Sequence, residues 1–437
     1  MSHRIATASQ GERILMIRRI QALNYRCLRY VDVSLDRFHV LIGPNASGKS
    51  TLFDAIAFLG DLVRDGLERA VGSRTANFQD LVWGRPERDM GFELAIELEV
   101  PEELRKRLPA EKNFGVFRYE VGISEDERGM RIASERGLLM PARRRQQSVQ
   151  RTLFPAPPAP PSTILVGGGR RGKRTILSKS ARGTDAFSVE TESRAGKGWV
   201  TTIAFGPNRS TLGNLPESPE KFPMATLVKR KLENGVKPVF LDSVKMRRAS
   251  PPEYGRNGFA TDGSNLPWII KRLQDEHPAD FEEWLGHVRT VLADLRGIRV
   301  IDRPEDRHAY LRLRYYTGVD VPSWMASDGT MRLLALTLLA YLPDNREIYL
   351  LEEPENGVHP LAVDGIRDSL SSAYDAQVLV ATHSPTLLAS VDPRDVLCFE
   401  KNREGATDII RGNEHPVLAD WQGSINMDVL FAKGVVG

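Results

Sequence analysis

Residues 43–51 read Gly-Pro-Asn-Ala-Ser-Gly-Lys-Ser-Thr, and no other segment narrows the folds open to this chain as much. The segment satisfies G-x-x-x-x-G-K-[ST] at every fixed position, the pattern of a loop that wraps a polyphosphate. Gly43 and Gly48 let the backbone approach the ligand closely. Main-chain N–H groups and the start of the following helix then meet the negative charge. Gly43, Pro44, Asn45, Ala46, Ser47, Gly48, Lys49, Ser50 and Thr51 are therefore candidate contacts to ATP. Lys49 is expected to reach the β- and γ-phosphates, and Ser50 to offer its hydroxyl to Mg2+. Such a loop needs a strand before it and a helix after it. Phe38 to Ile42 is a short, mostly apolar run, as in a buried parallel strand. Leu52, Ile56, Leu59 and Val63 then recur at helical spacing.

Parallel strands need parallel neighbours, and two apolar runs qualify. Residues 347–360 read Glu-Ile-Tyr-Leu-Leu-Glu-Glu-Pro-Glu-Asn-Gly-Val-His-Pro. Two carboxylates at the end of a buried strand are costly unless used, and that end of a parallel sheet is where such folds bind ligands. Glu352 is expected to hold Mg2+ through water, and Glu353 to orient or deprotonate the attacking water. Ala381-Thr382-His383-Ser384-Pro385 ends the next buried strand, which puts His383 toward the γ-phosphate. Ser327-Asp328-Gly329-Thr330 stands before an apolar helix over 330–342. Local features there favour a simple cap at Ser327 or Asp328 over a second anion-binding helix start.

Elsewhere, Phe92, Leu94, Ile96, Leu98 and Val100 alternate strictly, and further strands follow over 117–123 and 129–132. Helices are expected over 220–235, 264–296 and 360–374, with strands at 311–316 and 396–400. Strand–helix alternation at both ends with a different middle implies one split α/β domain. Residues 1–135 and 256–437 would form its two parts, and 136–255 an insertion. From Arg136 to Thr184 there is no Asp or Glu, while Arg143, Arg144, Arg145, Arg151, Arg170, Arg171, Lys173 and Arg174 recur among prolines and glycines. That stretch fits binding of nucleic-acid phosphates, docking of an acidic protein, or a solvated linker. Its one aromatic, Phe154, gives no stacking platform for single strands. The chain's net charge of +3 announces no polyanion by itself, and its two cysteines suggest neither a disulfide framework nor a zinc site. No apolar run approaches the ~20 residues of a membrane helix, so a cytoplasmic location without membrane contact is expected.

Taken in order, these segments resemble ABC-type ATPases, and the soluble RecF/SMC/OLD-like branch more than the transporters. The likeness rests on residues 43–50, 327–334 (Ser-Asp-Gly-Thr-Met-Arg-Leu-Leu), 350–360 and 381–385, with Asp262-Gly263-Ser264-Asn265-Leu266-Pro267 before the signature. It implies an α/β fold: a split ATPase head with a parallel core sheet, an antiparallel β subdomain and an inserted helical, basic region. It implies ATP and Mg2+ as cofactors and hydrolysis of ATP to ADP and phosphate. Ser327 and Gly329 would form a signature that contacts the γ-phosphate held by the other subunit, so a homodimer or higher oligomer forms through an ATP sandwich. His383 would be the switch histidine, and Glu355, Asn356 and Gly357 the loop through which the two sites communicate. Tyr25 and Arg26 would contact the base, and Gln79 would join Mg2+ to the middle lobe. Two departures stand out: Glu352 occupies a position where most ABC proteins have Asp, and the signature lacks the usual double glycine. No Asp-x-Asp cluster follows His383, so no nuclease is expected in this chain. Relatives of this kind work with a separate effector protein, in anti-phage or DNA-maintenance systems, which also makes double-stranded DNA a candidate partner. The alternative is a non-hydrolysing, nucleotide-gated scaffold that assembles or restrains a partner. A transporter's nucleotide-binding subunit is disfavoured by the long insertion and the Ser-Asp-Gly-Thr signature.

Overall fold

The computed structural model describes residues 15–86, 90–109, 113–142, 159–166, 172–180, 183–192, 200–252, 258–343, 345–388 and 391–415. The chain opens with β1 (Ile17–Tyr25) and β2 (Leu28–Ser34), sends β3 (Phe38–Ile42) elsewhere, and returns with β4 (Gly91–Glu99), β5 (Phe114–Asp126), β6 (Gly129–Pro141), β7 (Arg174–Lys179), β8 (Asp185–Ser188) and β9 (Val200–Ile203). These form an antiparallel sheet in the order β2-β1-β4-β5-β6-β7-β8-β9. Then come β10 (Val236–Val239), a small antiparallel sheet of β11 (Leu295–Asp302), β12 (Ala309–Tyr315) and β13 (Asp320–Pro322), and finally β14 (Ile348–Glu352), β15 (Gln377–Ala381), β16 (Val396–Lys401) and β17 (Thr407–Arg411). The core sheet runs β10-β14-β15-β3-β16-β17, parallel except for β17.

The helices are α1 (Lys49–Asp65), α2 (Leu67–Gly72), α3 (Glu102–Arg105), α4 (Pro223–Asn234), α5 (Ser243–Arg247), α6 (Leu266–Glu276), α7 (Pro278–Val291), α8 (Asp328–Leu338), α9 (Pro360–Ser371) and α10 (Pro385–Leu388). The core strands read as continuous apolar runs because both of their faces are covered. Leu41, Leu350 and Leu379 join one core with α1, α4 and the antiparallel sheet. Val40, Leu351 and Val380 alternate into a second core with α6 to α9, centred on Trp284 and Leu334. The register sets Glu352 beside Ala381 and Ala381 beside Leu41, so the loops after β3, β14 and β15 leave from one edge.

The expected domain boundaries need correction. The boundary at 135/136 falls inside β6, β7 to β9 continue the same antiparallel sheet, and β10 joins the core sheet. The segment read as an insertion thus supplies strands to both sheets. Some of its described basic residues have structural partners. Lys179 pairs with Asp185 at 2.7 Å with both side chains fully buried, and Arg174 donates to the carbonyls of Val189, Glu190 and Glu192. Arg143, Arg144, Arg145, Arg151, Arg170 and Arg171 lie outside the described residues. Glu135, fully buried in β6, accepts from the Tyr119 and Ser210 hydroxyls and from the Thr211 and Leu212 N–H groups. Those bonds offset a desolvation that pushes its carboxyl up.

Candidate functional site

The loop after β3 folds as its glycines demand. Gly43 has φ +146° and Gly48 φ +109°, values that L side chains rarely adopt. A Cβ at Gly43 would lie 2.1 Å from the Phe399 carbonyl oxygen, and one at Gly48 2.4 Å from Thr407 Oγ1. The phosphate access expected from the sequence is therefore not the sole reason for glycine at these positions. The β16–β17 hairpin lies directly against the loop. Thr407 Oγ1 donates to the Ser47 carbonyl at 2.8 Å, and the Thr407 N–H donates to the Cys27 carbonyl at 3.0 Å.

Lys49 opens α1 and is buried, with Nζ donating to the carbonyls of Gly43 at 2.7 Å and Pro44 at 3.0 Å. Burial lowers its ammonium pKa, against the opposing pull of Glu353 and Glu352. Asn45 to Thr51 line a cavity of ≈ 570 Å³ together with Glu352, Glu353 and His383. Three loops from three distant parts of the sequence thus converge on one space. Gly43 and Pro44 do not line it; their carbonyls hold Lys49.

Glu353 follows β14 at φ +45°, a left-handed conformation that costs a non-glycine residue on the order of 1–3 kcal/mol. Its N–H donates to the Ala381 carbonyl at 2.8 Å, and the Asn356 amide donates to its carboxylate. Strain fixed by such bonds is a mark of functional positions. His383 has its pKa lowered by burial and by Lys49, with Glu353 opposing, so its imidazole is mainly neutral at pH 7. Thr382 Oγ1 donates to the Glu355 carboxylate and accepts from the Ser384 N–H at 2.8 Å, which ties the loop after β14 to the end of β15.

Ser327 caps α8, its hydroxyl accepting from the Thr330 N–H at 3.1 Å. This is the cap that local features favour. Neither Ser327 nor Gly329 lines the Lys49 cavity of its own chain. Gly329 instead packs on the loop after Glu353, since a Cβ there would stand 2.7 Å from the Gly357 carbonyl oxygen. Glu352 and Glu353 also border a second cleft, of ≈ 360 Å³, with Arg332 of α8.

Two expected contacts are corrected. Tyr25 does not face a base. Asn24, at φ +59°, breaks the alternation of β1 and turns Tyr25 into the core of Ile20 and Ala22, where its ring packs on Phe58 and Phe92 and its hydroxyl donates to Asp54 at 2.6 Å. Burial and the adjacent Asp54 push the phenol pKa well up. Its neighbour Arg26, at φ +50° in the turn, does line the cavity, with its guanidinium 3.3 Å from Asp54. Gln79 does not reach the site either. The short turn Phe78–Leu81 aims its amide at Glu125, 2.9 Å away, and it is Asp80 that lines the cavity. Trp83, Arg85, Cys27 and Lys401 also line it, and the sequence reading missed them. Trp83 had a usable signal, an aromatic side chain within a Gly- and Arg-rich loop. Lys401 had none, because β17 brings its hairpin to the site.

No curated protein sequence matches the chain. Among solved structures, the fold is similar to an Smc head bound to the C-winged helix domain of ScpA, with a TM-score of 0.50, 15% identity, and coverage of 90% of this chain and 96% of that one. An Smc head with an extended coiled coil, bound to the C-terminal domain of ScpA derived from Pyrococcus furiosus, matches with a TM-score of 0.44 and 14% identity, covering 91% and 96%. An SMC head domain from Thermotoga maritima matches with a TM-score of 0.36 and 13% identity, covering 90% and 98%. A protein family described as "AAA domain, putative AbiEii toxin, Type IV TA system" matches residues 38–139 and 248–389, more than half of the chain. Those segments contain the phosphate loop, Ser327–Thr330, Glu352–Glu353 and His383. The chain therefore belongs to that AAA-domain family, and its fold is that of the ABC-type P-loop ATPases of the RecF/SMC-like branch.

Proposed function

We propose that this chain hydrolyses ATP with Mg2+, that two copies close on the nucleotide, and that the cycle controls a separate effector protein. The observation that carries this reading is the convergence of Lys49, Glu352, Glu353 and His383 on one cavity with Glu353 held in a strained conformation. Lys49 and the loop N–H groups would hold the β- and γ-phosphates. Glu353 would orient the water and take its proton, and a neutral His383 would donate to a γ-phosphate oxygen. The Ser50 hydroxyl and the Glu352 carboxylate are hard oxygen donors that suit Mg2+. The ion, when bound, would neutralise charge on the phosphates. Ser327 and Gly329 stand at a helix start that lines no cavity with their own Lys49, which supports a role toward the nucleotide of a second copy. Asp80, beside the phosphate loop, takes over the role expected of Gln79, and Arg26 with Trp83 forms the base side. The ScpA domain bound by the similar Smc heads supports the effector reading, and family resemblance points to anti-phage defence or DNA maintenance in the cytoplasm. Among the described residues no helix is long and apolar enough to cross a membrane.

The test is steady-state hydrolysis and sedimentation of wild type, Lys49→Ala and Glu353→Gln with Mg2+ and ATP. Lys49→Ala should lose nucleotide binding. Glu353→Gln should bind ATP, turn over about 100-fold more slowly or worse, and accumulate as dimer. Normal turnover in Glu353→Gln refutes the role of Glu353. The bond from Asn356 to the Glu353 carboxylate favours one second reading, a nucleotide-gated scaffold that does not hydrolyse. Stoichiometric ATP retained without turnover in wild type would select it.

A further inference from the structure

The small sheet β11–β13 buries one face through Ile298, Leu311 and Leu313. Its register places Arg299 opposite Arg312, Gly297 opposite Arg314 and Ile301 opposite Tyr310 on the other face. Two guanidiniums directly across a strand pair repel one another. Arg312 donates to the Tyr310 hydroxyl at 3.2 Å, and its Nε is buried without a partner. Among the described residues no carboxylate pairs with Arg299 or Arg312. Arg314 bonds Asp320 at 3.1 Å, and all three arginines hold that carboxyl below its usual range, Arg314 most strongly. Three arginines thus share one acid. Beside them Trp324, 55% exposed, leans on Tyr310 with ring centroids 4.9 Å apart.

Arginine forks suit phosphate oxygens, Arg312 and Arg314 stand about 6.8 Å apart along their strand, and an exposed indole suits a base face. We propose that this face binds single-stranded nucleic acid, with Arg299, Arg312 and Arg314 on the phosphates and Trp324 on a base. β13 runs through the short turn Ser323–Met325 into Ser327 and α8, and Gly329 packs on Gly357. A bound strand therefore acts on the signature segment and through it on the loop after Glu353. This coupling, unlike the binding itself, rests on the ATPase reading.

The test uses the full chain and fluorescent oligonucleotides of about 20 nucleotides, single- and double-stranded, by anisotropy between about 50 and 300 mM salt. The variants are Arg299→Gln/Arg312→Gln and Trp324→Ala, with retained melting temperature and ATP binding confirming their folds. The expected result is tighter single-strand binding, at least tenfold weaker in the arginine variant, with a log–log salt slope reduced by about 1.4. Trp324→Ala should weaken binding while leaving the slope unchanged. A folded arginine variant with wild-type affinity and slope overturns the proposal, as does wild type that binds no oligonucleotide or captures only acidic protein. Preference for duplex over single strands overturns the role of Trp324. Turnover that ignores a bound oligonucleotide overturns the coupling alone. Absence of any turnover defeats the ATPase reading and leaves the binding result to stand by itself.

Discussion

Thr407→Val replaces the hydroxyl that holds the phosphate loop with a methyl group of similar size. Thr407 is buried, and its Oγ1 is the donor 2.8 Å from the Ser47 carbonyl. Valine keeps the shape and removes the donor, so that carbonyl loses a buried partner at a cost of about 1–3 kcal/mol. Without nucleotide the loop relaxes and recovers part of this cost. With nucleotide it must return to its cradle and bear the cost again. A deficit of about 1–2 kcal/mol in the bound state corresponds to affinity for Mg2+-ATP roughly fivefold to thirtyfold weaker. Isothermal titration of wild type, Thr407→Val and Thr407→Ser measures this, and serine, which keeps the hydroxyl, should stay close to wild type. If valine lowers the melting temperature but binds ATP within about twofold of wild type, the hairpin supports only stability and the reasoning about the cradle is refuted.

Further expectations follow from other contacts. Gly329→Ala drives a Cβ to within 2.7 Å of the Gly357 carbonyl oxygen. It should cost about 1–3 kcal/mol and slow turnover while ATP binding persists, as read by melting and hydrolysis. Trp83→Ala should weaken ATP by about 1 kcal/mol or more and leave tripolyphosphate binding unchanged. Equal losses for both ligands would remove Trp83 from the base side. His39 is buried, accepts from the Asp36 N–H at 2.8 Å and donates to the Asp395 carbonyl, and burial lowers its pKa to about 4. Its depressed folded pKa gives stability that is present above about pH 6.5 and lost toward pH 4, at most about 3 kcal/mol. Glu190 accepts from the Met224 and Ala225 N–H groups, and burial raises its pKa to about 7. Its contribution has the opposite sign, greatest below its unfolded value and lost as pH rises to 7. Melting temperatures between about pH 4.5 and 6.5 should therefore vary less in wild type than in His39→Gln or Glu190→Gln, with opposite slopes in the two variants.

What the sequence revealed followed from local physics. The phosphate loop, the apolar strand before Glu352 and Glu353, and the strand before His383 each declare themselves within about ten residues. Strand order at their shared edge follows from the chemistry they must share. Tyr25 was misread because its neighbour Arg26 lines the cavity, while the left-handed Asn24 breaks the alternation of β1 and sends the Tyr25 side chain into the core beside Ala22, an irregularity that the apolar pattern does not announce. Gln79 missed by a single position, since a one-residue step along the turn Phe78–Leu81 exchanges the side chain that faces Glu125 for the one that faces the cavity. The partners of β6 and the clamp of Thr407 on Ser47 are long-range choices. Nothing near Ser47 announces a donor 360 residues away.

The central place of β3, between β15 and β16, also fixes a timetable for synthesis. Ile17 and the Gln377 amide that binds its main chain lie 360 residues apart. At about 5–20 residues per second, a ribosome needs roughly 20–70 s to deliver the second after the first. The antiparallel sheet grows largely from neighbours in sequence and can pair meanwhile, while β3 waits with both of its edges open. Such an interval is when a nascent chain is most exposed to aggregation and most in need of a chaperone. A transcript broken anywhere between α1 and β15 would yield a protein that carries the whole phosphate loop but lacks the strands that flank β3.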